Sequence, residues 1–236
     1  MSLPKKIFPD RIKDAVVEFN VTYSNPFEVV LGFVLDEIIK NKSYKHINSS
    51  NNIPLEIQEL SGKRYLFYNE KIKFHLTPKA ITINCYNSYI SWDLYFQEIK
   101  NIIDLVSSIN KEIIVNRIGL RYVSEYDDVN LDDCLKFEFT FGYPGIKSKH
   151  YSFNSEFSYK EALVILTLRN LMPTNISNET KNISHIDIDV IKKDLSIKFS
   201  NNEILLNTLD EVHNYEKEVF FNLLKEDFLN ELKPIY

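Results

Sequence analysis

The stretch EIIVNRIGLRYVSE, residues 112–125, is rich in β-branched residues and predicts a long β-strand. Side chains alternate across a strand, so its apolar residues share one face, which we expect to lie in the core: Ile118, Leu120 and Tyr122. Arg117 and Arg121 lie on the opposite face with Gly119 between them, and the strand rise places the two arginine Cα atoms about 13 Å apart. The strand therefore presents two guanidinium groups on a polar side.

Helix and strand patterns precede this stretch. The spacing of apolar residues predicts helices over residues 27–40 and 92–109, the second capped by Ser91. β-branched and aromatic residues predict a strand over 14–23. Turn residues divide the block between the two helices, which predicts an antiparallel meander with strands at 55–60, 63–69, 72–77 and 80–86.

The acidic segment 127–133 is the best internal boundary. An exposed loop is expected over 172–182, and apolar spacing predicts one long helix from about Glu203 to Leu232. Strands are expected near 135–142, 149–156, 160–169, 183–191 and 194–199.

Runs of adjacent short strands favour an α+β protein over a doubly wound parallel sheet. We therefore predict an α+β fold with mostly antiparallel sheet and three main helices. Two loosely similar halves are expected to pack together, an N-terminal half over residues 1–126 and a C-terminal half over 127–236 that ends in the long helix. One continuous domain is the alternative.

Composition limits the function classes. The 236-residue chain has a net charge of -5, so it lacks the charge footprint of a general nucleic-acid binder, although a local basic patch would still allow nucleic-acid binding. Cys85 and Cys134 are too few for a disulfide framework. No apolar run approaches the roughly 20 residues that span a bilayer, and no signal-peptide pattern is present, so we expect a cytoplasmic protein without membrane contact.

Four segments form a recognisable combination: IFPDRIKDAVVEFNV (7–21), IKFHLTPKAITINCYNSYISWDLYFQEI (72–99), RIGLRYVSEY (117–126), and HIDIDV (185–190) followed by LDEVHNYEKEVFF (209–221). The combination resembles a sporadically distributed family of uncharacterised prokaryotic proteins of about this length, whose most recognisable feature is an R-I-G-L-R-Y segment. The resemblance covers nearly the whole chain, with Val212-His213 where the family often has Leu-His. It implies no established activity, and the patchy occurrence of the family is compatible with cargo of mobile elements and with a role in defence.

The two arginines of the long strand have two interpretations. Arg117 and Arg121 could form an anion clamp that grips a phosphate or carboxylate, with the gap at Gly119 admitting the ligand. Alternatively, both arginines pair with carboxylates of the protein itself, and Gly119 accepts a bulky neighbour. We favour the second interpretation.

The segment HIDIDV places His185, Asp187 and Asp189 on one strand face. Two carboxylates and an imidazole could bind a metal or act as an acid/base pair. Ligands at every second position of a straight strand are too far apart to close a site alone, and no second element supplies further ligands. A charged face satisfied by Arg117, Arg121 or Arg169 is the favoured interpretation.

No catalytic or cofactor motif stands out. The chain has no Walker A loop, GxGxxG, HExxH or GxSxG pattern, and His213 within the last helix is interpreted as structural. We therefore expect a non-catalytic protein without cofactor or metal, which binds an anionic ligand or a protein partner through Arg117, Arg121, Asp187, Asp189 and His185. The alternatives are a metal-dependent hydrolase or nuclease that uses Asp187 and Asp189, and a nucleic-acid-binding protein; homo-oligomerisation stays open.

Overall fold

The computed structural model describes residues 3–41, 44–48, 65–85, 87–109, 112–137, 149–176 and 179–236. In these ranges it contains ten strands and five helices, and the strands form a large antiparallel sheet, so the predicted α+β class is confirmed. The predicted strand at 55–60, and parts of those at 63–69, 80–86 and 135–142, lie outside the described residues.

The strands are β1 (Ile12–Thr22), β2 (Lys45–Asn48), β3 (Tyr65–Tyr68), β4 (Ile72–Leu76), β5 (Ala80–Cys85), β6 (Ile114–Asp127), β7 (Tyr151–Tyr159), β8 (Ala162–Ile176), β9 (Glu179–Lys192) and β10 (Ile197–Lys198). The helices are α1 (Phe27–Asn41), α2 (Trp92–Ile109), α3 (Leu131–Cys134), α4 (Asn202–Leu223) and α5 (Glu226–Glu231). No helix of the described residues combines the length and the apolar character that crossing a membrane requires.

The chain divides into two compact units, each assembled from separate segments. The first unit comprises Met1–Lys13, Arg121–Val190 and His213–Tyr236. The second unit comprises Asp14–Leu120 and Ile191–Val212. The two consecutive halves predicted from the sequence are a different division and stay a prediction.

In the second unit the strands follow the order β2-β3-β4-β5-β1-β6, and β10 also pairs with β6. Three strands of the predicted meander lie within the described residues, and there β3, β4 and β5 pair antiparallel in sequence order, as predicted. β1 pairs antiparallel with β5 and sets Val17 opposite Ile83. Alternate residues of β1 are fully buried, which leaves Glu18 and Asn20 on its half-exposed side.

Helix α2 begins at Trp92, as predicted, and buries one apolar stripe: Tyr95, Ile99, Ile102, Ile103 and Val106. The hydroxyl of Tyr95 lies at the end of the β1–β5 ladder. It accepts a hydrogen bond from the Val17 N–H at 3.1 Å and donates to the Ile83 carbonyl at 2.6 Å, and the Ala15 carbonyl oxygen lies 3.2 Å away. One side-chain hydroxyl thus satisfies buried backbone groups of two strands, and the burial raises its pKa well above the usual value.

In the first unit the strands follow the order β6-β9-β8-β7. β7 and β8 form a hairpin that pairs along all of β7, from Tyr151 opposite Asn170 to Tyr159 opposite Ala162. Over 122–126 of β6, 162–170 of β8 and 184–190 of β9, the even-numbered residues are buried and the odd-numbered residues between them have intermediate or high exposure.

Two predictions on local structure in this part of the chain are wrong. The expected loop over 172–182 is much shorter, because β8 continues to Ile176 and β9 begins at Glu179. The expected single helix over 203–232 is two helices, since α4 ends at Leu223. The segment after it pairs with the chain after α3. The Lys136 N–H donates to the Leu223 carbonyl, and the Lys225 N–H donates to the Cys134 carbonyl. The backbone therefore leaves the helical conformation at Leu224.

We expect Tyr95→Phe to lower the free energy of unfolding by about 1–3 kcal/mol, because it leaves buried backbone groups of β1 and β5 without their partner. Chemical denaturation followed by circular dichroism measures this change. Tyr23→Phe is the matched control, since the Tyr23 hydroxyl is buried without a hydrogen-bond partner among the described residues. Equal stability losses in the two variants would show that the Tyr95 hydrogen bonds contribute nothing.

Candidate functional site

The first unit brings together two of the predicted site residues, Arg121 on β6 and Asp187 on β9. The Arg121 Nε and one terminal nitrogen donate to the two carboxylate oxygens of Asp187 at 2.8 and 2.7 Å. This two-point geometry is the one that best matches a guanidinium to a carboxylate. The Arg121 side chain is 47% exposed and that of Asp187 is 15% exposed. The Asp187 carboxylate is therefore largely covered, and the guanidinium is the more exposed partner, on the outward side of the sheet.

His185 lies on the same outward side of β9 as Asp187 and is part of a second cluster. Its Nε2 is 3.4 Å from Oε2 of Glu125, whose other carboxylate oxygen is 4.0 Å from the Lys13 ammonium. The backbone N–H of Glu125 donates to the Arg11 carbonyl at 2.9 Å, which fixes this part of β6. Glu125 thus accepts contacts from an imidazole and an ammonium on a half-exposed surface.

Asp189 is the next outward residue of β9 and is half-exposed. Together with the residues above it completes a surface of the first unit that we call the charged face: Arg121, Val123, Glu125, His185, Asp187 and Asp189. The charges on this face are mixed, because the Arg121 guanidinium lies among the carboxylates of Glu125, Asp187 and Asp189.

Arg117 belongs to the second unit and has other partners. Its guanidinium donates to Glu18 at 2.8 Å and to the Asn20 side-chain oxygen at 3.2 Å, both on β1. It also lies over Gly119, where an added Cβ would come within 3.3 Å of a guanidinium nitrogen. The space above Gly119 is therefore filled by the Arg117 side chain, which is the bulky neighbour that the ion-pair interpretation requires.

The described residues contain no group of three or more His, Cys, Asp or Glu side chains arranged to hold a metal ion. The Cα atoms of His185 and Asp189 are about 13 Å apart along the strand, which is too far for His185, Asp187 and Asp189 all to share one ion. The arrangement favours ion pairing across strands over coordination.

His213 and Glu216 of helix α4 lie in the first unit, and the pKa of each is strongly shifted. His213 is part-buried, with its Nδ1 3.5 Å from the Tyr122 hydroxyl, and its burial, with the nearby positive charge of Lys217, lowers its pKa to about 3. Glu216 is buried, and its burial raises its pKa to about 8 against a smaller opposing effect of Lys217. Both groups are therefore mainly neutral at pH 7, which agrees with a structural role for His213.

No protein-family profile matches the chain, and no curated protein is similar to it in sequence.

Sequence analysis expected arginines to pair with the carboxylates of the 185–190 segment, as Arg121 does with Asp187, but it missed the partners of Arg117 and His185. Glu18 and Asn20 lie on the outward side of β1, and Glu125 lies on the outward side of β6, as their alternation with buried neighbours could have indicated. The choice of Glu18 as the partner of Arg117 depends on which strands are neighbours in the sheet, and the sequence pattern does not contain that information.

We expect a double-mutant cycle on Arg121→Ala and Asp187→Ala to give a coupling free energy of about 1 kcal/mol, because the geometry is good but one partner is half-exposed. Unfolding free energies of the four proteins measure it. The control cycle is the exposed Lys40–Asp36 pair of α1, for which we expect a smaller coupling because solvent screens it fully. A coupling at Arg121 and Asp187 no larger than in the control would contradict an organised pair.

His213 and Glu216 change the stability in opposite directions over overlapping pH ranges. His213 has a folded pKa near 3 against an ordinary value of 6.5, so its contribution is lost as the pH falls from 6.5 towards 3. Glu216 has a folded pKa near 8 against an ordinary value of 4.5, so its contribution is lost as the pH rises from 4.5 towards 8. Between pH 4.5 and 6.5 the two slopes oppose each other, and only Glu216 acts between pH 6.5 and 8.

We therefore expect Glu216→Gln to remove a stability loss of about 2 kcal/mol between pH 6.5 and 8. Urea denaturation across this pH range measures the slope, with Glu203→Gln at an exposed position of the same helix as the control. If the wild type and Glu216→Gln decline in parallel above pH 6.5, Glu216 does not titrate in this window.

Proposed function

We propose that this chain is a non-catalytic binding protein that recognises a protein partner through the charged face. The observation that supports it best is the two-point Arg121–Asp187 pair, which fixes a cation and a carboxylate on adjacent strands. Side chains that are already ordered lose little conformational entropy when a partner binds. A surface of this kind favours recognition through complementary charges and shape.

A protein partner agrees with the contacts better than a small anion does. An anion at Arg121 would have to displace the bidentate Asp187 carboxylate, and Arg117 in the second unit is already engaged by Glu18 and Asn20. Both sequence-predicted cations thus have partners within the chain. A protein surface with both signs of charge can pair with the face without breaking these contacts.

The alternatives have less support. Glu125, Asp187 and Asp189 would repel the phosphates of a nucleic acid that approached the charged face. A metal-dependent hydrolase at Asp187 and Asp189 would need further ligands, and the described residues offer no such cluster.

We expect a photo-cross-linking amino acid at position 123 to capture one dominant protein in cells, because Val123 lies on the charged face between Arg121 and Glu125. Position 100 on the exposed side of α2 is the control. The captured protein is then purified, and its affinity for the wild type and for Arg121→Ala is measured by calorimetry. We expect the Arg121→Ala substitution to weaken binding at least about thirtyfold, because truncating one partner of a buried interfacial charge pair costs about 2–5 kcal/mol.

Lys40→Ala, which breaks an exposed ion pair on α1, should leave this affinity unchanged. Identical adducts from positions 123 and 100, or an affinity that is insensitive to Arg121→Ala, would refute the charged face as the binding surface.

A further inference from the structure

The tip of the β7–β8 hairpin places a cation against helix α4 within the first unit. Lys160 and Glu161 form the two-residue turn that follows Tyr159. The Lys160 ammonium group lies 4.8 Å from the centre of the Tyr215 ring and 5.4 Å from the centre of the Tyr159 ring. Both distances are within the roughly 6 Å over which an aromatic ring attracts a cation.

A carboxylate completes the surroundings of this ammonium group. Glu218 follows Tyr215 by three residues, so both side chains lie on one side of α4. Its Oε2 atom is 2.6 Å from the Lys160 ammonium and accepts a hydrogen bond of 2.6 Å from the Tyr159 hydroxyl. The hydrogen bonds from Lys160 and Tyr159 lower the pKa of Glu218, so its carboxylate is charged at neutral pH.

We call Tyr159, Tyr215 and Glu218 the ammonium cage. The two ring planes meet at 84° with their centres 6.1 Å apart, so the rings form adjacent walls. Ring faces attract the positive charge of an alkylammonium group, and the carboxylate accepts a hydrogen bond from one of its N–H groups. Aromatic cages of this kind recognise methylated lysine side chains and other organic ammonium ions.

The contacts that hold Lys160 in the cage contribute little free energy. Its side chain is 44% exposed, and solvent weakens both an exposed ion pair and an exposed cation–π contact. Its backbone φ is 52°, in the left-handed region that residues other than glycine disfavour. Two-residue hairpin turns usually have Asn, Asp or Gly at such positions. Strain in the turn therefore offsets part of the attraction, and releasing the lysine costs little.

We propose that the ammonium cage is a binding site for an alkylammonium group with at least one N–H, and that Lys160 occupies the site as an internal competitor. A lysine side chain of another protein and a free primary amine both have this chemistry. The cage shares no residue with the charged face, so the two sites are independent, and the failure of one proposal leaves the other intact.

Lys160→Gly empties the cage, and glycine adopts a φ of 52° without strain. The probe is n-butylammonium, which has the carbon chain and the ammonium group of a lysine side chain. NMR titration follows its CH₂ protons next to the nitrogen, because aromatic rings shift protons above their faces upfield. We expect a dissociation constant on the order of 1–10 mM for this variant. The wild-type value should be roughly three- to tenfold higher, since Lys160 must first leave the cage.

Two further substitutions in the Lys160→Gly background test the parts of the cage. Glu218→Gln removes the charge of the carboxylate and should weaken binding roughly tenfold. Tyr159→Leu removes one ring face and should weaken binding roughly two- to fivefold. In the wild-type background, Lys40→Ala is the control for attraction by a carboxylate that has lost its lysine, since Lys40 pairs with Asp36 on α1. It should leave the wild-type titration unchanged.

The peptide acetyl-Gly-Lys-Gly-amide distinguishes the two sources of the ligand. Binding of the peptide as tightly as n-butylammonium supports a lysine of another protein, whereas binding of the free amine alone supports a small amine. A Lys160→Gly protein that binds neither probe overturns the proposal, and so does binding that Glu218→Gln leaves unchanged. Lys160→Asn, which also tolerates this backbone conformation, should reproduce the Lys160→Gly result. A wild type without any upfield shift at about 100 mM probe would show that Lys160 is a permanent structural contact, which also overturns the proposal.

Discussion

Burial of one side of each strand is the constraint on which the candidate site depends. In β6 the buried residues Ile118, Leu120 and Tyr122 fix the direction of every side chain between them. A slip of one residue would bury Arg121 and expose these three apolar side chains, so the register is strongly determined. The same alternation in β9 buries Ile186 and Ile188 and turns Asp187 outward. The contact between Arg121 and Asp187 thus follows from packing on the opposite side of the sheet.

The charges of the two units are organised by pairing within the chain. Arg121 is held by Asp187, and Arg117 is held by Glu18 and Asn20. Exposed or half-exposed pairs add little to stability, since solvent screens the attraction. Their physical effect is order, because a paired guanidinium keeps one conformation on a strand that is itself fixed by the core. A surface with ordered charges of both signs discriminates between partners through the position of each charge, and its net charge matters less.

Local structure was predictable from the sequence wherever the pattern of neighbouring residues alone determines it. The α1 and α2 helices and the β1, β4, β5 and β6 strands were predicted close to their observed bounds, because apolar period and turn residues determine them locally. The predicted single helix over 203–232 failed at Leu224, where the backbone pairs with Leu135, a residue far away in sequence. The outward side of β6 and β9 was predictable by alternation, but Glu18 and Glu125 as partners were not, because strand order arises from long-range contacts.

Polar groups inside the protein are accommodated in two physically different ways. The Tyr95 hydroxyl is fully buried, yet hydrogen bonds to two strands compensate its loss of water, so it stabilises the end of a ladder. Glu216 is buried in its neutral form, because a neutral carboxyl is easier to remove from water than a carboxylate and burial therefore raises its pKa. Tyr95 therefore contributes through geometry at any pH below its own raised pKa. Glu216 makes the stability of the fold depend on the pH of its surroundings, although it lies on the buried side of a helix and away from the charged face.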